Sequence, residues 1–275
     1  MTIRKAERTN LSLEDAERSF DEAITLPGGV AQMSEQPDGR WAVQLVWDDE
    51  GSTLERDAFD AFEKAEPRRT RGFDPKLGAL SARFESNGNP GSIGHDSTGG
   101  FSYGAYQIAT KTGTMAEFLK FLEKNAPAIA ARLDAAGGAR GASAGTPEFK
   151  AAWRDLGKSD PAFADAQHAF IQSTHYDPCC ARIRKNLGLD VEARSPALRN
   201  VVWSVAVQHG PANKIFDNAL AGKDCAQLQD ASIIDAVYGE RSKVERYFAR
   251  STPQVKAALV ARFAEERRLA ERMLG

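Results

Sequence analysis

The sequence predicts a mainly helical protein with a small mixed α+β segment at its N-terminus. Three observations predict it. Apolar residues recur at helical spacing in one segment after another from Asp74 to the C-terminus, and prolines open most of those segments. The alternation of a strand is plain only over Trp41–Trp47, after the Pro37-Asp38-Gly39 turn signal.

Taken in order, residues 11–25 carry helix-like spacing through Leu11, Leu13, Ala16, Phe20, Ala23 and Ile24, with Ser12 and Asp15 able to form a capping box near its start. Gly28-Gly29 turns the chain into the strand, and residues 53–65 return to helical spacing. The run from Glu66 to Gly72 holds a proline and three arginines and reads as a linker. A boundary near residue 70 follows, separating a docking or structural segment, 1–70, from a helical domain, 71–275. Within that domain, helices are predicted over 74–86, 111–124, 126–136, 146–157, 160–175, 178–187, 196–208, 211–221, 231–249 and 252–273. Pro127, Pro147, Pro161, Pro178, Pro196, Pro211 and Pro253 fall at first turns, where a missing N–H costs nothing. The glycine-rich run 137–145 reads as a flexible loop.

Lys plus Arg number 36 against 38 Asp plus Glu, so the chain lacks the basic surplus that nucleic-acid binding demands. Its three cysteines, Cys179, Cys180 and Cys225, are odd in number and lack zinc-ribbon spacing, and they read as thiols. No helical His-x-x-x-His is present, so neither a metal nor another cofactor is expected. The first ten residues are charged and no apolar run follows them, which predicts neither a secretory signal nor a membrane anchor.

The chemistry concentrates between residues 77 and 108. Leu77, Leu80 and Phe84 form the apolar stripe of a helix, and Glu85 is its last acidic group before Ser86-Asn87-Gly88-Asn89-Pro90 ends it. A carboxyl beside an apolar stripe is pushed toward its neutral form, which a general acid requires. Gly91 to Gly100 then forms a polar, glycine-rich connection containing Asp96, and it leads into Ser102-Tyr103-Gly104-Ala105-Tyr106-Gln107-Ile108.

Glu85-Ser86, the glycine-rich connection and the Gly104-x-x-Gln107-Ile108 block together resemble the signature of the lysozyme-like superfamily, including goose-type lysozymes and soluble lytic transglycosylases. Val205 to Asn213 resembles a divergent copy of a later turn motif of that superfamily, with the usual tyrosine and asparagine replaced. The stretch from Leu80 to Leu122 is more similar still to muramidase-like domains fused to, or travelling with, type VI secretion spike proteins.

The resemblance implies a lysozyme-like helical catalytic domain and a muramidase that cleaves the bond between N-acetylmuramic acid and N-acetylglucosamine. Glu85 is then the acid. Asp96 resembles the loop aspartate that positions water in goose-type lysozymes, which implies inversion, with carboxyls roughly 6.5–9.5 Å apart. The alternative for Asp96 is an Asx-turn folded on its own backbone, in which case Glu85 acts alone and the enzyme is a lytic transglycosylase. Ser102, Tyr103, Gln107, Tyr176, Gln208 and His209 are the expected substrate-binding residues.

A chitosanase uses the same carboxylate logic, and a silent glycan-binding or tail-structural protein could keep the fold without chemistry. The implied partners are peptidoglycan strands, a secretion spike or carrier, and a cognate immunity protein, with neither nucleic acid nor membrane among them. Such an effector is made in the cytoplasm and acts in the periplasm of a target cell. A cysteine enzyme using Cys179 and His209, and Trp153 and Trp203 as core rather than cleft, complete the readings.

Overall fold

A computed structural model describes residues 3–36, 38–48, 54, 77–81, 88–96 and 98–275. The described residues divide into two compact units: those up to residue 54 together with 88–170, and 77–81 together with 171–275.

In the first unit an antiparallel sheet has six strands among the described residues: β1 (Ile3–Leu11), β2 (Val30–Glu35), β3 (Trp41–Asp48), β4 (Ile93–Asp96), β5 (Gly100–Tyr103) and β6 (Ile108–Ala109). Their order is β1-β3-β2-β4-β5-β6. Only β3 was plain in the sequence. β1 is an edge strand in which Ile3 alone is buried, so its charges face water and no alternation betrays it. β2 pairs Val30 with Asp96 and Met33 with Ile93 of β4. The sheet therefore runs on across the division expected near residue 70, because the glycine-rich connection supplies β4 and leads into β5.

Helix α1 (Leu13–Ala23) starts at Ser12, whose Oγ accepts the Asp15 amide at 3.2 Å, and it buries Ala16, Phe20 and Ala23 as its spacing predicts. The helical remainder of this unit comprises α2 (Thr114–Asn125), α3 (Pro127–Ala135), α4 (Gly138–Ala144), α5 (Pro147–Ser159) and α6 (Pro161–Ile171). Helix α4 corrects the flexible loop expected over 137–145. Ala142 is fully buried and its carbonyl accepts the Tyr103 hydroxyl at 2.8 Å, so tertiary contacts override the low helix propensity of glycine.

Lys150, Arg154 and Lys158 lie along one face of α5 and pair with Asp21 at 3.1 Å, Glu17 at 2.5 Å and Glu35 at 3.0 Å. They tie α5 to α1 and β2. Beneath them Trp153 is fully buried, with the ring centroids of Tyr103, Phe118, Phe149 and Phe163 between 4.7 and 6.0 Å away. Truncating such an aromatic costs about 3–5 kcal/mol.

The second unit is built of helices and their connections, with no strand among its described residues. A π-helical segment (Gln172–Tyr176) leads into α7 (Asp177–Leu187), followed by a short 3-10 turn (Val191–Ala193), α8 (Pro196–His209), α9 (Ile215–Ala219), α10 (Asp230–Arg241), α11 (Val244–Tyr247) and α12 (Pro253–Met273). Ser195 and Thr252 cap α8 and α12 by accepting the Leu198 and Val255 amides, each at 3.2 Å. Pro196 and Pro253 open their helices as predicted, whereas Pro211 sits in the turn beyond α8.

The core of this unit forms around α8, where Val201, Val202, Trp203, Val205 and Ala206 are all fully buried. Trp153 and Trp203 are thus both core residues, as expected. Arg241 and Glu266 pair at 2.7 Å, both fully buried, and Ser204 and Tyr238 donate their hydroxyls to the same Glu266 oxygen at 2.8 and 3.1 Å. The helix predicted over 53–65 falls outside the described residues apart from Leu54, as does that over 74–86 apart from residues 77–81.

Candidate functional site

Glu85 and Ser86 lie outside the described residues. The chain is described again from Gly88, and there it is held firmly. Asn89 Oδ1 accepts the Gly91 amide at 2.8 Å. The Pro90 carbonyl accepts two side-chain N–H groups, Trp153 Nε1 at 2.9 Å and Gln167 Nε2 at 3.0 Å. A β-carbon on Gly157 of α5 would stand 2.5 Å from Gly91 Cα, so only glycine lets helix and loop backbone meet there.

Gln167 also fixes the second half of the signature. Its Oε1 accepts the Ala105 amide at 3.0 Å while its Nε2 holds Pro90, so one fully buried amide clamps both sides of the β4–β5 hairpin. Sequence reasoning missed Gln167. The signal available was a glutamine amid apolar residues on α6, a group that burial obliges to find partners.

Ser102, Gln107 and Gly94 meet across the hairpin. Ser102 Oγ donates to Gln107 Oε1 at 2.8 Å, and Gln107 Nε2 donates to the Gly104 carbonyl at 2.9 Å. Gln107 adopts a positive φ of 50°, uncommon for a residue with a side chain, and those two bonds hold it there. Gly94, opposite Ser102 in the β4–β5 register, leaves the space that the Gln107 amide and the Ser102 hydroxyl occupy. Gln107 and Ser102, expected to meet substrate, are brought together as the brace of their own turn.

Asp96 ends β4, and its Oδ1 accepts the amides of Thr98, at 2.8 Å, and Gly99. These bonds close an Asx-turn on Oδ1. His95, beside it, packs edge-on against Phe101 at 4.8 Å, and burial lowers its pKa. Tyr106 meets His168 Nδ1 through its hydroxyl at 2.8 Å.

Tyr103 corrects an expectation. It is a core residue rather than a cleft residue: fully buried, its ring 5.2 Å from those of both Phe149 and Trp153, its hydroxyl spent on Ala142. A residue that begins the Tyr-Gly turn at the inner end of β5 points under the sheet, and burial raises its pKa.

In the second unit Tyr176 lines a cavity of about 560 Å3, and its hydroxyl donates to Glu192 Oε1 at 2.7 Å. Gln208 and His209 line no part of that cavity; both accept from Arg241, Gln208 through Oε1 and His209 through Nε2 at 3.2 Å. Burial and the Arg241 charge push His209 down to about 3, so it is neutral and structural at neutral pH. The expected substrate-binding role gives way to packing for these two, because the buried guanidinium needs acceptors.

Cys179, Cys180 and Cys225 are free thiols. Burial raises Cys179 and pushes Cys180 up to about 12, away from the thiolate that a cysteine nucleophile requires. Among the described residues no cluster of His, Cys, Asp or Glu could hold a metal ion. Nor, among them, is any helix long and apolar enough to cross a membrane.

Several known proteins are similar to this chain. A family model described as type VI secretion system spike protein VgrG3-like, C-terminal, matches residues 77–267. The type VI secretion system spike protein VgrG3 of Vibrio cholerae is 32% identical over 200 residues, which are 70% of this chain and 18% of that protein. The chain thus spans less than a fifth of its relative. Among solved structures, a chitosanase from Bacillus subtilis is 19% identical with a TM-score of 0.49, covering 70% of this chain and 86% of its own. A Gynuella sunshinyii GH46 chitosanase in complex with chitotetraose is 16% identical with a TM-score of 0.43, covering 63% and 76%. On the match over residues 77–267, the chain belongs to the family of VgrG3-like C-terminal domains of type VI secretion system spike proteins.

Proposed function

We propose that this chain is a glycoside hydrolase of lysozyme-like fold that cuts the glycan strands of peptidoglycan between N-acetylmuramic acid and N-acetylglucosamine, with Glu85 as the acid. The observation that carries the reading is that the matched family region, 77–267, contains the whole Glu85–Ile108 signature. The braced hairpin supports it: one hydrogen bond donated and one accepted by Gln167, one donated by Trp153 and the Ser102–Gln107 pair immobilise the segment from Pro90 to Gln107. Rigid support of this kind is what a positioned general acid needs.

Protonation of the glycosidic oxygen by Glu85 breaks the bond to C1 as the oxocarbenium character grows. If Asp96 then orients water, the product is a reducing sugar of inverted configuration. One observation favours a second reading. Asp96 Oδ1 already serves as the acceptor of an Asx-turn, which supports Glu85 acting alone as acid and then base, and an anhydro-sugar product.

Membership of a spike-protein family supports export by a type VI secretion machine into a rival's periplasm. The producer of such an effector needs an immunity protein. In the same reading residues 1–70 link the catalytic region to the spike or carrier, with β1 to β3 built into the first unit. Mass spectrometry of soluble products from peptidoglycan sacculi tests the reading: reducing muropeptides mark a muramidase, and anhydro-muropeptides mark a transglycosylase. Release of neither, with cleavage of chitosan instead, would replace it by a chitosanase.

A further inference from the structure

Tyr176 and Leu77 apart, the cavity in the second unit is built from residues outside the proposed glycan-cutting site. Its floor is Tyr176, Val191 and Asn200, each no more than 1% exposed. One wall is the π-helical segment ending at Tyr176, a widened turn of the kind that collects at functional sites. At about 560 Å3 it lies within the range, about 300–1,000 Å3, of pockets that hold small molecules.

Its rim carries both signs of charge. Arg184 and Asp190 pair with each other and leave four further charged groups. Asp177 and Glu192 supply carboxylates, and Lys185 and Arg199 supply cations that make no ion pair among the described residues. The carboxylate of Glu192 is held from below by the Tyr176 hydroxyl at 2.7 Å, and Asn200, at the end of the floor, is fixed by donating to Pro196 O at 3.0 Å. A neutral sugar would leave these charges unanswered, and a simple anion or cation would answer only half of them.

We propose that this cavity binds a short zwitterionic peptide, its carboxylate received by Arg199 and Lys185 and its amine by Glu192 and Asp177. Resting on the reading of the substrate as peptidoglycan, the occupant is the stem peptide that hangs from N-acetylmuramic acid, which ends in just such paired amine and carboxylate groups. The cavity then selects strands that still carry their stems.

The test uses the full chain and the free tripeptide L-alanyl-γ-D-glutamyl-meso-diaminopimelate in calorimetric titration, with diaminopimelate alone and tetra-N-acetylglucosamine as further probes. Because binding of the free peptide needs no hydrolysis, its outcome is independent of whether the chain cuts any glycan. The proposal expects saturable binding of the tripeptide, weakened about tenfold in Arg199→Ala and in Glu192→Gln. Hydrogen exchange on the unsubstituted protein should show protection confined to residues 172–200, which guards against a variant that merely misfolds. Equal binding of diaminopimelate alone would assign the cavity to free amino acids instead of stems. No tripeptide binding, or binding that leaves 172–200 unprotected, overturns the proposal even if the chain proves to be a muramidase.

Discussion

Gln167 Oε1 accepts the Ala105 amide from within the space that a β-carbon on Gly104 would fill; that carbon would also stand 2.8 Å from Gln167 Cδ. The glycine of the signature turn is therefore the counterpart of a glutamine on α6, 63 positions later. Gly104 also has a φ of +81°, which a side chain resists. Gly104→Ala is expected to destabilise the protein by about 2–4 kcal/mol through crowding and backbone strain together. Urea unfolding followed by tryptophan fluorescence measures it, and a loss within 0.5 kcal/mol, the usual scale of a neutral surface change, would mean that the clamp is not formed.

Tyr103→Phe separates a core role from a cleft role. Removing the hydroxyl leaves the Ala142 carbonyl with the Gly145 amide, at 3.2 Å, as its remaining donor, and about 1 kcal/mol of stability should be lost. Glycan cleavage at saturating substrate should stay within about twofold of the parent, on the view that only groups touching the transition state alter turnover. A KM raised tenfold at unchanged stability would restore Tyr103 to the cleft.

Replacing Arg241 by Met takes away one of two cations that hold the buried Glu266 carboxylate and leaves Arg262 at 2.9 Å, and breaking such a buried pair from one side costs up to about 3–5 kcal/mol. Simultaneous replacement of Arg241 and Glu266 by Met and Gln should recover part of that loss. Thermal unfolding of the two variants side by side reads the difference.

The pH dependence follows from two groups in that same core. His209 is pushed down to about 3, so its neutral form stabilises the fold above the ordinary histidine range and that contribution is lost as pH falls from about 6.5 toward 3. Glu266 is held down at about 2 by Arg241 and Arg262, so its contribution is present above the ordinary carboxylate range and disappears between about 4.5 and 2. Both signs agree: stability should fall with acid, first through the histidine. In His209→Phe the decline between pH 6.5 and 4.5 should flatten, as seen in melting temperatures across that range. An unchanged slope would place the sensitivity elsewhere.

The helical region was legible because α3 and α5 to α8 announce themselves through apolar spacing and an opening proline, and α2 through apolar spacing alone, and their structural bounds lie within a few residues of those predicted. The sheet was not. β1 hides behind surface charge, and β4 and β5 are four residues each with glycines where cross-strand side chains need room, so neither shows a period. Within the candidate site, the Glu85–Ile108 block was recognisable as a motif, yet the pattern alone could not say which way each side chain points. Tyr103 turned inward onto Trp153, while Gln208 and His209 turned to Arg241, partners distant in sequence that no local spacing encodes. Gln167 escaped for the same reason.

The proposed reaction turns on the proton that Glu85 gives to the glycosidic oxygen. The most direct test compares the unsubstituted protein, Glu85→Gln and Asp96→Asn on purified sacculi, counting soluble muropeptides by mass spectrometry after confirming equal melting temperatures. Loss of general acid catalysis predicts that Glu85→Gln releases products at least about 100-fold more slowly, whichever product the parent forms. Undiminished release by Glu85→Gln would rule out Glu85 as the acid, since losing a general acid slows the step that it serves by about 100-fold or more.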